Sequence, residues 1–216
     1  MNNYKLPYTK LAIIYDQIMN HVNYKKWGLY LNKLFRYAKI DVKNILDLAC
    51  GTGNLLTYLN DFSFCLKGCD LSKEMIFRAK EKKSMQKISL FCCDAREISL
   101  KKECFDAVVF IYDSINYVLN RRDILKIFKE IQQILRVGGV FIFDTITISH
   151  CKKFFNNYNY SEFWKNYGYY QECYFKEKES LQYTDFLIYI NHEIFIEKHA
   201  NCLILNVTMA ISKIYR

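Results

Sequence analysis

A single proline, Pro7, stands among 216 residues, which excludes the proline-rich compositions of linkers, fibrous repeats and disordered tails. No apolar run approaches the roughly 20 residues that cross a bilayer, and the start Met1-Asn2-Asn3-Tyr4-Lys5 has no apolar signal-peptide core. The chain therefore reads as cytoplasmic, with no membrane partner. Cysteine is not scarce, at nine residues, but Cys65 and Cys69 have no second couple at zinc-finger distance. Cys50, Cys65, Cys69, Cys92, Cys93 and Cys104 fall in or beside apolar runs, where reduced thiols act as small hydrophobes. Neither a metal nor a disulfide framework is expected. The formal charge of +9 invites a nucleic-acid partner, yet the lysines lie in short scattered runs such as Lys25-Lys26, Lys82-Lys83 and Lys152-Lys153. No arginine-rich motif accompanies them, so a solvated lysine surface is favoured and nucleic acid is left open but not preferred.

What is present is 51% hydrophobic residues with 25% charged ones, enough for one α/β domain that buries roughly 70% of its unfolded surface. The chain is organised around Ile45-Leu46-Asp47-Leu48-Ala49-Cys50-Gly51-Thr52-Gly53-Asn54. Residues 44–49 read as a short buried strand, Gly51 and Gly53 permit tight or positive-φ backbone, and helical spacing follows at Leu55, Leu56 and Leu59. In a parallel sheet, ligands bind where such a loop sits. A dinucleotide fingerprint would need glycine at Leu56, and no Walker lysine follows, so a pyrophosphate is disfavoured. The acid Asp47 just before the loop repels phosphate and suits an amine-bearing ligand.

These residues resemble motif I of the class I S-adenosylmethionine-dependent methyltransferases, close to L-D-L-x-C-G-T-G. The string Tyr8-x-x-Leu11-Ala12-x-x-Tyr15-Asp16, followed by Tyr24-x-x-Trp27, resembles the N-terminal signature of a group that includes small-molecule and sugar N-methyltransferases; there the counterpart of Tyr15 approaches the cofactor. Residues 8–37 have helical spacing in two blocks, read as a lid or as plain packing helices. Residues 64–69 read as a second strand ended by Asp70, with Ser72 capping the next helix. Asp70 can accept both ribose hydroxyls, or it is a helix-dipole carboxylate. The run from Gly68 to Met75 resembles motif II, which implies that Leu71 and Met75 line an adenine slot. Strand 88–93 ends at Asp94-Ala95, which the resemblance makes the adenine-amino contact; the alternative is a turn cap.

Strand 105–112 is the most β-branched and aromatic run, and it delivers Tyr112-Asp113-Ser114-Ile115-Asn116-Tyr117 to the same edge. The Asn-Pro-Pro-Tyr and Asp-Pro-Pro-Tyr motifs of base-amine methylation are missing there, and the string resembles the D-S-x-N-Y of the small-molecule group. Periodicity predicts a helix over 123–136, stopped by Gly138-Gly139, and a fifth strand over 140–144. Runs at 169–175, 181–190 and 193–196 predict antiparallel hairpins. Glu197-Lys198-His199 resembles the group's Glu-x-His step, making His199 a candidate for acceptor binding or proton removal, or else a surface histidine.

The expected fold is a Rossmann-like doubly wound, mostly parallel sheet in one domain: a helical lid (1–43), a cofactor-binding core (44–145) and an acceptor-covering β-rich tail (146–216). The tail looks short for both an insertion and a closing strand pair, so that pair is expected to be incomplete and residues 201–216 to be one helix or one strand. The resemblance implies methyl transfer from S-adenosylmethionine, yielding S-adenosylhomocysteine, to a small-molecule amine or hydroxyl. It assigns Tyr15, Asp47, Cys50, Gly51, Thr52, Gly53, Asp70, Leu71, Met75, Asp94, Ala95 and Tyr112 to the cofactor. Asp113 and Asn116 are assigned to the substrate, and His199 and Tyr117 to catalysis. Rival readings are an RNA methyltransferase, motivated by the charge, an idle cofactor-binding scaffold, motivated by the tail, and more distantly an NAD-linked enzyme. A monomer or a homodimer fits equally.

Overall fold

Strand–helix alternation with continuous apolar strands can bury both strand faces only in a parallel sheet flanked by helices, and this is the architecture found. The computed structural model describes residues 8–202 and 209–213. The first N-terminal block is a run of tight turns: 3-10 turns at Leu11–Ile13 and Met19–His21 bracket the single-turn helix α1 (Tyr15–Ile18). The longer α2 (Tyr24–Tyr37) starts where the Asn23 side chain accepts the Lys26 N–H, and it buries Gly28, Leu31 and Phe35.

Then come β1 (Asn44–Leu48), α3 (Asn54–Leu59), β2 (Cys65–Asp70), α4 (Lys73–Glu81), β3 (Ser89–Cys92), β4 (Phe105–Phe110), α5 (Arg121–Ile134) and β5 (Leu135–Asp144). These five strands pair in parallel in the order β5-β4-β1-β2-β3. β4 lies inside the sheet between β5 and β1 and is buried along its whole length. One face packs Leu31, Phe35, Leu56 and Ile76, and the other packs Ile115, Ile127 and Ile131. At the sheet's other end the Asp106 carboxylate takes the N–H groups of Lys43 and Asn44 at 2.7 and 2.8 Å and pairs with Arg136 at 2.8 Å. That single buried acid ties β1, β4 and β5 together.

The boundary between α5 and β5 differs from the periodic reading. The helix stops at Ile134 and not at Arg136, because Leu135 is fully buried and already pairs with Phe105. The register then shifts between Phe105 and Ala107, and Gly138, at φ +80°, lies inside β5 at that irregularity. The glycine pair therefore serves a bulge within the strand, not a helix stop.

After β5 the chain adds α6 (Ile148–Phe154), capped by Thr147, and a second sheet of β6 (Tyr158–Phe163), β7 (Tyr167–Lys176), β8 (Leu181–Ile190) and β9 (Glu193–Cys202). Its order follows the sequence and every pair is antiparallel. The β8–β9 turn is Asn191-His192, both at positive φ, the twist that two-residue hairpins need. β6 is absent from the sequence expectations: it is an edge strand with no buried residue, and only Tyr158 and Tyr160 alternate on one face. Tyr169, Phe186, Ile188 and Ile190 pack on Leu11 and Ile14, so this sheet and the N-terminal turns hold each other over the edge of the main sheet. β10 (Met209–Lys213) pairs antiparallel with β5. Of the tail expectation over 201–216, one strand is thus found beside β5, and residues 203–208 and 214–216 lie outside the described residues. No helix among the described residues is long and apolar enough to cross a membrane.

Candidate cofactor and acceptor site

The strand-to-helix loop is built from left-handed backbone: Ala49, Gly51 and Gly53 have φ of 59°, 55° and 78°. Asp70, at the end of β2, holds the loop by accepting the N–H groups of Gly51 and Ser72, each at 2.8 Å. Ser72 caps α4 by accepting the Met75 N–H, and its hydroxyl also reaches the Tyr8 carbonyl at 2.9 Å. Asp47 is 2% exposed. Burial, with Asp70 nearby, pushes its carboxyl well above the usual range, and burial raises Asp70 too against its backbone bonds. A buried acid pair of this kind favours a cation between or beside it.

α1 closes over the loop. A Cβ placed on Gly51 would lie 3.7 Å from the Tyr15 ring. Asp16 accepts the Thr52 hydroxyl at 2.6 Å and the Asn54 amide at 3.0 Å, and it pairs with Lys82 at 2.7 Å. Asp94 is gripped by Arg96 through Nε and Nη2 at 2.9 and 2.6 Å, which holds its carboxyl below the usual range although burial opposes the shift.

At the exit of β4, Tyr112 and Asp113 occupy consecutive left-handed conformations, φ 62° and 51°. Such strain in side-chain-bearing residues is characteristic of functional turns. The Asp113 N–H donates to Asp144 at 3.3 Å. Burial, then the neighbouring Asp144 charge, pushes Asp113 up to about 8; burial pushes Asp144 up to about 6.

These groups enclose a cavity of about 680 Å³. Tyr15, Asp47, Cys50, Gly51, Thr52, Asp70, Leu71, Met75, Asp94, Ala95, Tyr112, Asp113 and Tyr117 all line it. Three expected residues do not. Gly53 precedes α3, facing Met85 and Ala79. Asn116 is buried, and its amide exchanges bonds with the Ile146 backbone at 3.1 and 3.4 Å, so it braces the chain after β5 instead of facing substrate. His199 is buried, at 4% exposed, behind Tyr117 and Tyr8 and is no surface histidine. The sequence reading omitted Tyr8, Arg96, Gln171 and Phe186 from the lining. Tyr8 stands in the quoted N-terminal string, but Gln171 and Phe186 are ordinary strand residues until the second sheet folds over. Among the described residues no group of three or more His, Cys, Asp or Glu is placed to hold a metal ion.

A methyltransferase-domain family matches residues 45–139. A crystal structure of an S-adenosylmethionine-dependent methyltransferase from Clostridium acetobutylicum ATCC 824 superposes with a TM-score of 0.75. It is 30% identical and aligns over 90% of this chain and 81% of that one. The chain belongs to the S-adenosylmethionine-dependent methyltransferases. The sugar N-methyltransferase KedS8 from Streptoalloteichus sp ATCC 53650 shares the fold at a TM-score of 0.80 over 100% of this chain and 96% of that one, at 15% identity. YqeM of Bacillus subtilis (strain 168), which is named as a methyltransferase, is 37% identical over 63% of this chain and 54% of its own length. The chain spans about half the length of the curated relatives it matches.

The lining suits this family's cofactor. S-adenosylmethionine carries an ammonium and a sulfonium, and five acidic side chains, Asp47, Asp70, Asp94, Asp113 and Asp123, line the methyltransferase cavity. The guanidinium there, Arg96, is already taken by Asp94 and Asp123.

Proposed function

We propose that this chain transfers the methyl group of S-adenosylmethionine to a small-molecule amine or hydroxyl. The carrying observation is a roofed cavity of about 680 Å³, acidic beside the glycine loop and tyrosine-lined beneath the second sheet. A roofed space of that size favours a small molecule over a polymer. In this reading residues 1–43 act as lid, 44–145 hold the cofactor and 146–216 cover the acceptor.

Asp47 would attract the amino-acid end, Asp70 the ribose hydroxyls and Asp94 the adenine amine, with Leu71, Met75 and Ala95 beside the ring. Gly51 and Thr52 shape the loop, and Tyr15 closes from above. When bound, the cofactor supplies an electrophilic methyl carbon on a sulfonium. The chain's contribution is placement in a water-poor space: Asp113 faces the acceptor, with Tyr117 beside it in the cavity wall. Asp70→Ala removes both the proposed ribose contact and the acceptor of the Gly51 N–H.

Thermal melts with S-adenosylhomocysteine test the reading. Ligand at 100 times its dissociation constant stabilises by about 2.7 kcal/mol, a rise of roughly 5–10 °C in a chain of this size, which should shrink in Asp70→Ala. Label from methyl-tritiated S-adenosylmethionine should then appear in pools of small amines and alcohols. A folded protein with no shift sinks the reading, and label found in RNA alone would replace the acceptor class.

A further inference from the structure

Four side chains the cofactor contacts leave unused form one continuous hydrogen-bonded chain. Tyr8 Oη and Tyr117 Oη are 2.5 Å apart, Tyr117 Oη is 3.2 Å from His199 Nδ1, and His199 Nε2 is 3.4 Å from Glu197 Oε2. Both tyrosines line the cavity, whereas His199 and Glu197 are buried behind them. We propose that Tyr8, Tyr117 and His199 are a proton wire leading from the acceptor end of the cavity to a buried imidazole, with Glu197 the positioning residue that sets its direction. The inference rests on the methyl-transfer reading, since it explains where the acceptor's proton goes.

Direction follows from counting donors. Glu197 is engaged on every side by groups that donate: the Thr9 hydroxyl at 2.6 Å, the Leu11 N–H at 3.1 Å and the Lys10 N–H on Oε1, and the Thr9 N–H at 3.3 Å on Oε2. An ionised carboxylate only accepts. Burial would raise this one, but His199, Thr9 and the backbone of Leu11 and Lys10 prevail and hold it at about 2. The nitrogen facing it, Nε2, must therefore carry the imidazole proton, which leaves Nδ1 bare to accept from Tyr117. The second nitrogen's partner fixes the tautomer here as in other carboxylate–histidine pairs. With its single proton committed to His199, Tyr117 accepts from Tyr8, whose lone pairs remain for a donor in the cavity. Burial raises both phenols well above their usual value, so they relay protons and do not store charge.

In the step itself the acceptor's X–H proton moves to Tyr8 Oη as the Tyr8 proton passes to Tyr117 and the Tyr117 proton to Nδ1. X keeps the bonding pair for its new bond to the methyl carbon, and the carbon–sulfur bond breaks with its pair left on sulfur. His199 ends as an imidazolium held by the Glu197 carboxylate, and the proton returns to solvent by the reverse path after product leaves.

Glu197→Gln separates this role from a structural one. The amide has one oxygen, which belongs where Oε1 meets three donors, so its NH2 must face Nε2 and drive the proton onto Nδ1. Long-range 1H–15N spectra of the S-adenosylhomocysteine complex, with the signal assigned by His199→Asn, should show the Nε2–H tautomer in the wild type. Glu197→Gln should show Nδ1–H, and Tyr117→Phe should keep Nε2–H. With an acceptor found by the labelling assay, Glu197→Gln should lose about 10²–10⁴-fold in kcat, the range set by proton transfer and a wrong tautomer, with KM and S-adenosylhomocysteine affinity held within about threefold. An Nδ1–H wild type, an unchanged tautomer in Glu197→Gln, or full kcat in Tyr117→Phe would each overturn the wire. Loss of cofactor binding in the wild type would instead overturn the methyl-transfer reading, and the tautomer result stands apart from it. If Glu197→Gln fails to fold, the wild-type and Tyr117→Phe spectra still decide.

Discussion

Glu197 also makes a quantitative claim about acid stability. Its carboxyl is held at about 2 against an ordinary 4.5, a gap of about 2.5 units, and each unit is about 1.4 kcal/mol. The folded state binds this proton less readily than the unfolded chain. Its contribution, about 3 kcal/mol, is therefore complete above pH 4.5 and is lost as pH falls toward 2. Glu197→Gln removes the ionisation while leaving an oxygen for the Thr9, Lys10 and Leu11 donors, so it should cost about 2–3 kcal/mol at neutral pH. At roughly 2–4 °C per kcal/mol for a chain of this length, the melting point should fall by about 4–12 °C. Calorimetric melts of wild type and variant between pH 7 and pH 2.5 isolate the effect, because every other carboxyl is common to both. The gap should be constant at neutral pH, narrow below pH 4.5 and close toward pH 2. A gap that keeps its size down to pH 2.5, or no gap at neutral pH, would refute the assignment of this carboxylate as the anchor of residues 9–11.

Asp113→Asn should behave oppositely. The raised carboxyl, at about 8, contributes stability that is full below pH 4 and lost as pH rises through 8. The asparagine variant, tolerant of φ 51°, should therefore melt higher than wild type at pH 9 and alike at pH 4. Asp106→Ala leaves the half-exposed Arg136 and the partly buried N–H groups of Lys43 and Asn44 without their acceptor and should cost about 1–3 kcal/mol by urea titration. Gly68→Ala would put a methyl 2.6 Å from Leu56 Cδ1 and 2.9 Å from Leu90 Cδ2, an overpacking loss of about 1–3 kcal/mol. His192→Gly relieves φ 73° at the β8–β9 turn, about 1–2 kcal/mol of left-handed strain. Against this stand about 0.5–1 kcal/mol of glycine backbone entropy and the exposed Tyr189–His192 contact, so a thermal scan should show at most a small rise in melting point.

The parallel core was legible because each piece carries a local cause. β4 is a buried run, Ser72 a cap, Gly51 a left-handed turn, and Asp70 and Asp94 stand at strand ends, where a parallel sheet always presents its ligand edge. The misreadings have equally local causes. Gly138-Gly139 suits a helix stop and a strand bulge alike, and only the burial of Leu135 against Phe105 decides. Asn116 occupies a ligand-like position in the string after β4, but a buried amide beside two free backbone groups is taken by them first. β6 buries no residue, and two alternating tyrosines are too short a pattern to read as a strand.

The groups closing the tyrosine-lined end of the cavity became visible only through pairings between distant segments. Thr9 meets Glu197 across 188 residues, and Tyr8 meets Tyr117 across 109. No periodicity encodes such partners; they depend on β7 and β8 packing Tyr169 and Phe186 against Leu11 and Ile14. That packing has a consequence for function. The segment bearing Tyr8 is held in place by Glu197, the same carboxylate that orients His199, and by Ser72, which caps the helix after Asp70. Closure over the cavity and alignment of the tyrosine–histidine chain are therefore one structural event. A change that loosens residues 9–11 should disturb the tautomer of His199 without touching it.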